Sequence, residues 1–209
     1  MDLHDIVRLL KSDDAKDRRS ALVQAEAYLD SDKVDGNSAP DLIDALLPTM
    51  SHSNPMFAQG ALGLLIALVE VLGEQLVPHI DGIWMPLVER FGDAKIANRE
   101  RAVDLAVALS TLVVPSEQAL ERLRPAWQHK NWRARESALR HFQRLLVKHD
   151  VPQTLSFPLK SMLPLVVRLL EDREPPVREA AYVAIEKMHR HLGTRDPSRA
   201  RYMCIARTC

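Results

Sequence analysis

The sequence predicts an all-α solenoid of five stacked helical hairpins, and three observations predict it. Apolar residues recur at helical spacing along the chain, and no alternating strand pattern is found. A small residue returns at Ala21, Ala61, Ala102, Ala138 and Ala181, at intervals of 40, 41, 36 and 43. Hydrophobic residues make up 46% of the chain but aromatics only 5%, so the core must be aliphatic, as suits packed helices rather than a β-sandwich. Units of about forty residues cannot each bury an apolar face alone, so they stack.

Each small residue sits early in the second helix of a hairpin. Those helices read "DRRSALVQAEAYL", "MFAQGALGLLIALVEVLG", "ANRERAVDLAVALSTLV", "RARESALRHFQRLLV" and "VREAAYVAIEKM". A first helix precedes each, as in "DLIDALLPTM", "IDGIWMPLVERFG" and "SEQALERLRPAW". In the last unit Leu165, Leu169 and Leu170 mark one apolar stripe, and Val177, Ala181, Ala184, Ile185 and Met188 another. Pro175-Pro176 suits a helix start, where a missing N–H costs least, and Gly193 suits a helix end. "SDKVDGNSAP" and "HDVPQTLSFP" read as linkers. "TRDPSRARYMCIARTC" has no helical stripe, so residues 1–193 form the repeat domain and 194–209 an irregular tail. The apolar side of the last hairpin, around Val183 and Met188, is then expected to be incompletely covered, which favours weak self-association.

Composition narrows the function. Twenty-eight basic and 28 acidic side chains balance, which argues against bulk-charge attachment to nucleic acid or anionic membrane. The two cysteines, Cys204 and Cys209, lie in the last six residues and offer no disulfide framework, so a reducing compartment is expected. The N-terminus lacks the apolar run of a secretory signal, and "ALGLLIALVEVLG" is too short to span a bilayer. A soluble cytosolic protein without membrane insertion is expected. No catalytic, phosphate-cradling or metal-ligand motif is found, so the expectation is no enzyme, no cofactor and no metal. His189 and His191 lie two apart on a helix and point to different faces.

The inter-helix turns resemble those of HEAT repeats. Asp93 precedes Arg99 by six residues and Asp172 precedes Arg178 likewise, and prolines such as Pro86 and Pro164 fall in first helices. The resemblance implies a structural ladder between neighbouring repeats, carried here by Asp93, Arg99, Arg135, Asp172 and Arg178; Arg18 shares the arginine position.

A closer resemblance runs from about residue 3 to residue 193. "LVERFGDAKIANRE", "HKNWRARE" and "DREPPVREAAYVAIEKMHRHLG", in that order, resemble the first tubulin-binding TOG domain of the CLASP family, nearest to plant and algal members. The resemblance implies a flat paddle whose turns line one edge and grip αβ-tubulin or microtubules, placing the protein on the cytoskeleton and spindle. Carried over residue by residue, the binding edge holds Lys16, Asn54, Met56, Lys95, Lys130, Asn131, Trp132, Arg133 and Arg173. The cations would face tubulin's acidic surface, with Trp132 and Met56 supplying apolar contact. Two departures stand out. Ala15 occupies the first-turn position where many TOG domains carry tryptophan, and no sixth hairpin is recognisable. The alternatives are a general HEAT scaffold and, less favoured at zero net charge, a HEAT-like DNA glycosylase.

Overall fold

The computed structural model describes residues 2–31, 34–148 and 159–192. The second linker and the tail at 194–209 lie outside the described residues, as does the proposed cap at Gly193. Eleven α-helices form five antiparallel pairs, with no strand among the described residues. The pairs are α1 (Leu3–Leu10) with α2 (Ala15–Leu29), α3 (Ala39–Met50) with α4 (Pro55–Leu72), and α5 (Asp81–Phe91) with α6 (Ile96–Leu112). In the fourth, α7 (Ser116–Arg122) and α8 (Arg124–Trp127) together precede α9 (Trp132–Lys148), and α10 (Leu159–Leu169) with α11 (Pro175–Leu192) completes the array.

The second helices stack in sequence, α2 on α4, α4 on α6, α6 on α9 and α9 on α11, forming one continuous layer. The recurring alanines explain how. Ala21, Ala61, Ala102, Ala138 and Ala181 are all fully buried, and their small side chains let successive second helices approach closely. Leucines from both layers then fill the space between them, Leu46, Leu62, Leu87, Leu105, Leu139 and Leu145 among them.

Proline marks the first helices at a near-constant interval. Pro48, Pro86 and Pro164 lie inside α3, α5 and α10. Pro125 occupies the comparable place in the fourth hairpin, where the expected single helix is split into α7 and α8. Proline has no N–H to donate to the preceding turn and its ring crowds that turn's carbonyl, so a short helix divides there.

After α4 the chain enters a 3₁₀ segment, Gly73–His79, at Gly73 with φ +50°, the one positive φ among the described residues. Only glycine adopts this without strain. The segment carries Leu76 fully into the core. By length and composition alone, Pro55–His79 is apolar enough to cross a membrane. Its α-helical part, however, stops at Leu72 and is packed against α2, α3 and α6. Nine of its residues, from Phe57 to Leu72, are buried. That is the environment of a central core helix, apolar because it has neighbours on several sides.

The last hairpin corrects one expectation. The sequence pattern predicts incomplete cover around both Val183 and Met188. Met188 is buried at 3% exposure with Val177, Ala181 and Ala184, whereas Val183 is 36% exposed. Five residues at about 100° each put the two side chains on different faces of α11.

Candidate protein-binding edge

The five intra-hairpin turns share one construction, fixed by the residue nine places before each buried alanine. That residue is Ser12, His52, Asp93, His129 or Asp172. In every turn its side chain accepts a hydrogen bond from the backbone N–H two residues on. The distances are 3.1 Å for Ser12 Oγ, 2.9 Å for His52 Nδ1, 2.8 Å for Asp93 Oδ1, 3.1 Å for His129 Nδ1 and 3.0 Å for Asp172 Oδ1. These are Asx-type turns, with histidine taking the acceptor role twice.

Arginine closes four of the turns in one manner. Arg18 donates to Ser12 O at 2.6 Å, Arg99 to Asp93 O at 2.9 Å, Arg135 to His129 O at 2.7 Å and Arg178 to Asp172 O at 2.7 Å. Each guanidinium thus reaches the carbonyl six residues before it. The Asp-Arg pairs noted in the sequence therefore do not meet through their side chains: Arg99 and Arg178 bind the aspartates' backbone oxygens. The carboxylate turns elsewhere. Arg135 reaches across to the next hairpin and grips Asp172 with two bonds, Nε–Oδ2 at 2.7 Å and Nη2–Oδ1 at 2.8 Å. Side-chain exposures of 10% and 8% make this a nearly buried pair. Burial works to raise the Asp172 carboxyl, but the Arg135 bonds, the Glu174 N–H and the arginine charge outweigh it and hold it below its ordinary value.

The ladder is incomplete. Between the first two turns Arg18 Nη1 lies 3.3 Å from His52 Nε2, with its guanidinium over Phe57. Between the second and third, Ala58 stands where the other hairpins carry arginine, and no hydrogen bond joins these turns among the described residues. Asp93 instead bonds Arg90 at 2.6 Å and the buried Asn98 at 2.9 Å within its own hairpin. Burial opposes its ionisation, yet Asn98, the Lys95 N–H and Arg90 together hold it low. Arg99 has His129 rather than an acid at the matching place in the next turn. Third and fourth turns are joined differently, by Asn131 Nδ2 donating to Gly92 O at 2.7 Å.

What remains for a partner is the outer rim. The first residue of every second helix is apolar: Ala15, Pro55, Ile96, Trp132 and Pro175. Ile96 is 58% exposed and Met56, beside Pro55, 41%. Lys16, Asn54, Lys95, Lys130 and Arg173 are all exposed, and among the described residues only Arg173 has an ion-pair partner, a Glu174 carboxylate 3.9 Å away. Two candidates differ from the sequence reading. Trp132 is not a fully open ring; it begins α9, half-buried against the core, with the Arg133 guanidinium 4.7 Å above its centre. Asn131 is committed to the fold, since Nδ2 holds Gly92 and Oδ1 accepts from Arg133 N–H at 3.1 Å. Ile96 was not singled out, although it stands three residues before Arg99 as Trp132 stands before Arg135. No cluster of three metal-ligating side chains occurs among the described residues.

The family described as CLASP N terminal matches residues 40–203. The chain belongs to that family. Among curated relatives, the CLIP-associated protein of Arabidopsis thaliana is 28% identical over 195 residues, covering 92% of this chain and 13% of its own length. CLIP-associating protein 1 of Xenopus tropicalis is 28% identical over 155 residues, covering 74% of the chain and 10% of its own. This CLASP N-terminal chain therefore spans about an eighth or less of the relatives it matches. The crystal structure of the MAST/Orbit N-terminal domain shares the fold at TM-score 0.82 and 23% identity, covering 96% of this chain and 88% of that one. Drosophila melanogaster Mini spindles TOG3 does so at 0.73 and 18%, covering 91% and 83%. The HEAT-repeat TOG architecture expected from the sequence is the one these structures share.

Proposed function

We propose that this chain is a non-enzymatic tubulin- and microtubule-binding module of the cytoskeleton, and that the turn edge is its contact surface. The observation that carries the reading is the row of turns itself. On adjacent turns the unpaired cations Lys95 and Lys130 flank two apolar groups, Ile96 and the open part of Trp132. That pattern suits a protein partner with apolar pockets set in an acidic surface. Family membership supports it, as does the likeness to a TOG domain described for tubulin-binding specificity that promotes microtubule dynamics and mitotic spindle formation.

Co-sedimentation with stabilised microtubules, beside binding to free tubulin, tests it. Ile96→Asp places a charge on an exposed site and leaves the fold intact, so binding should fall at least tenfold, about 1.4 kcal/mol, with unchanged melting. Lys95→Glu should weaken association most at low salt. Trp132→Ala should cost about 2 kcal/mol of binding, near thirtyfold, with some stability because the ring also packs inward. If Ile96→Asp and Lys95→Glu both fold and sediment like wild type, the edge assignment is wrong.

A further inference from the structure

The second-helix layer carries a groove that the turn edge leaves unused. It lies between α4, α6, α9 and α11 and encloses about 490 Å³. Its floor is aliphatic, formed by Ile66, Val107 and Val147, and Val147 is 59% exposed. A lone exposed valine is ordinary, but here Val147 adjoins Ile66, Val107 and Ala108 in one continuous aliphatic trough, which is what a partner's apolar side chain can cover.

The rim decides what could cover it. Arg101, Arg144, Lys148 and Lys187 stand around the floor with Glu70 and Asp104. Arg144 and Asp104 neutralise each other, Arg144 also holding Glu100. Arg101, Lys148 and Lys187 form no ion pair among the described residues, and of the rim's acids only Glu70 is left to oppose them. A chain with zero formal net charge therefore gathers four cations against two acids, a net excess of two, around one apolar trough. A neighbouring trough of about 370 Å³ between α9 and α11 shares Arg144 and Lys187 and carries the channel toward Val183.

We propose that this groove docks an acidic peptide segment bearing an aliphatic side chain, the aliphatic group on Val147 and Ile66 and the carboxylates on Lys148, Lys187 and Arg101. Charge complementarity names the partner's sign, and the aliphatic floor sets a peptide above a phosphate backbone, which would leave that floor uncovered. The site is separate from the turn edge and does not depend on tubulin binding there.

Fluorescence anisotropy with a fluorescein-labelled decapeptide of glutamates and two leucines tests the proposal, with a leucine-to-serine version as control. Wild type should bind the leucine peptide, more tightly at low salt, and at least fivefold better than the serine peptide. Lys148→Glu/Lys187→Glu and, separately, Val147→Ser should each weaken binding at least fivefold while melting as wild type does. Should the double variant melt early, Lys187→Gln with Val147→Ser keeps the test intact. Lys95→Glu and Ile96→Asp should bind the peptide normally, so failure here is distinguishable from failure at the turn edge. Absence of binding, equal affinity for the serine peptide, unchanged binding by the groove variants, or equal competition by single-stranded DNA of matched charge would each overturn it.

Discussion

Acidification should loosen this fold through His141, and the size of the effect follows from where the ring sits. His141 is fully buried in α9. Ser110 donates its hydroxyl hydrogen to Ala106 O at 2.6 Å, so its oxygen accepts from His141 Nε2–H at 3.0 Å. Nδ1 has no partner. Burial pushes the imidazole down from 6.5 to about 3; the nearby Ala106 carbonyl works against this and the Arg144 charge adds to it. The folded state therefore keeps the ring neutral, while the unfolded chain takes a proton near pH 6.5. Stability from this group is complete above that value and declines as pH falls toward 3, at about 1.4 kcal/mol per unit. At pH 5.0 the loss is about 2 kcal/mol, roughly 4–8 °C in melting temperature for a chain this size. Asp93 and Asp172, both held below 3.8, lose their contribution only under that value and do not enter the same window. Thermal melts of wild type and His141→Gln at pH 7.5 and 5.0 measure it. The variant should start lower, having lost a fitted ring, but its melting should respond less to pH. Parallel slopes in the two proteins would refute the assignment.

Three further outcomes are expected. Arg135→Ala or Asp172→Ala should each cost about 3–5 kcal/mol by stranding a nearly buried charge, and the double change should cost clearly less than the sum in a denaturant-based cycle. Gly92→Ala should cost about 1–2 kcal/mol, since a Cβ there would stand 2.8 Å from the Asn131 amide that ties the third turn to the fourth. Gly60→Ala meets the movable end of the Leu22 side chain, with Cδ1 at 2.8 Å, and gains helix propensity, so its melting should stay within about 3 °C of wild type.

The solenoid was legible because its repeat is written in residue size: a buried alanine at near-constant spacing survives whatever the surface does. The turns were harder. Arginine and aspartate suggested a ladder, but side-chain pairing across hairpins depends on three-dimensional register. Ala58, His52 and His129 occupy ladder positions that spacing alone would have revealed had the turns been aligned on acceptor capacity instead of residue type. Histidine can replace aspartate there because an imidazole nitrogen that carries no hydrogen can also accept a backbone N–H. Trp132 shows a related limit: the first residue of a helix can lean its ring over the core and leave one face outside, which spacing does not reveal. Pro125 was visible, but the break it makes was not, because Pro48, Pro86 and Pro164 sit in comparable helices without dividing them.

Ala58 has a mechanical consequence. Arg18 ties the first turn to the second, and Asn131 with Arg135 ties the last three together. Across the gap at Ala58 the array is held mainly by α4 packed on α6, with no hydrogen bond between the turns among the described residues. The edge is thus stitched by polar contacts on both sides of that boundary and by packed side chains alone across it, so any load there is carried by the fit of α4 on α6.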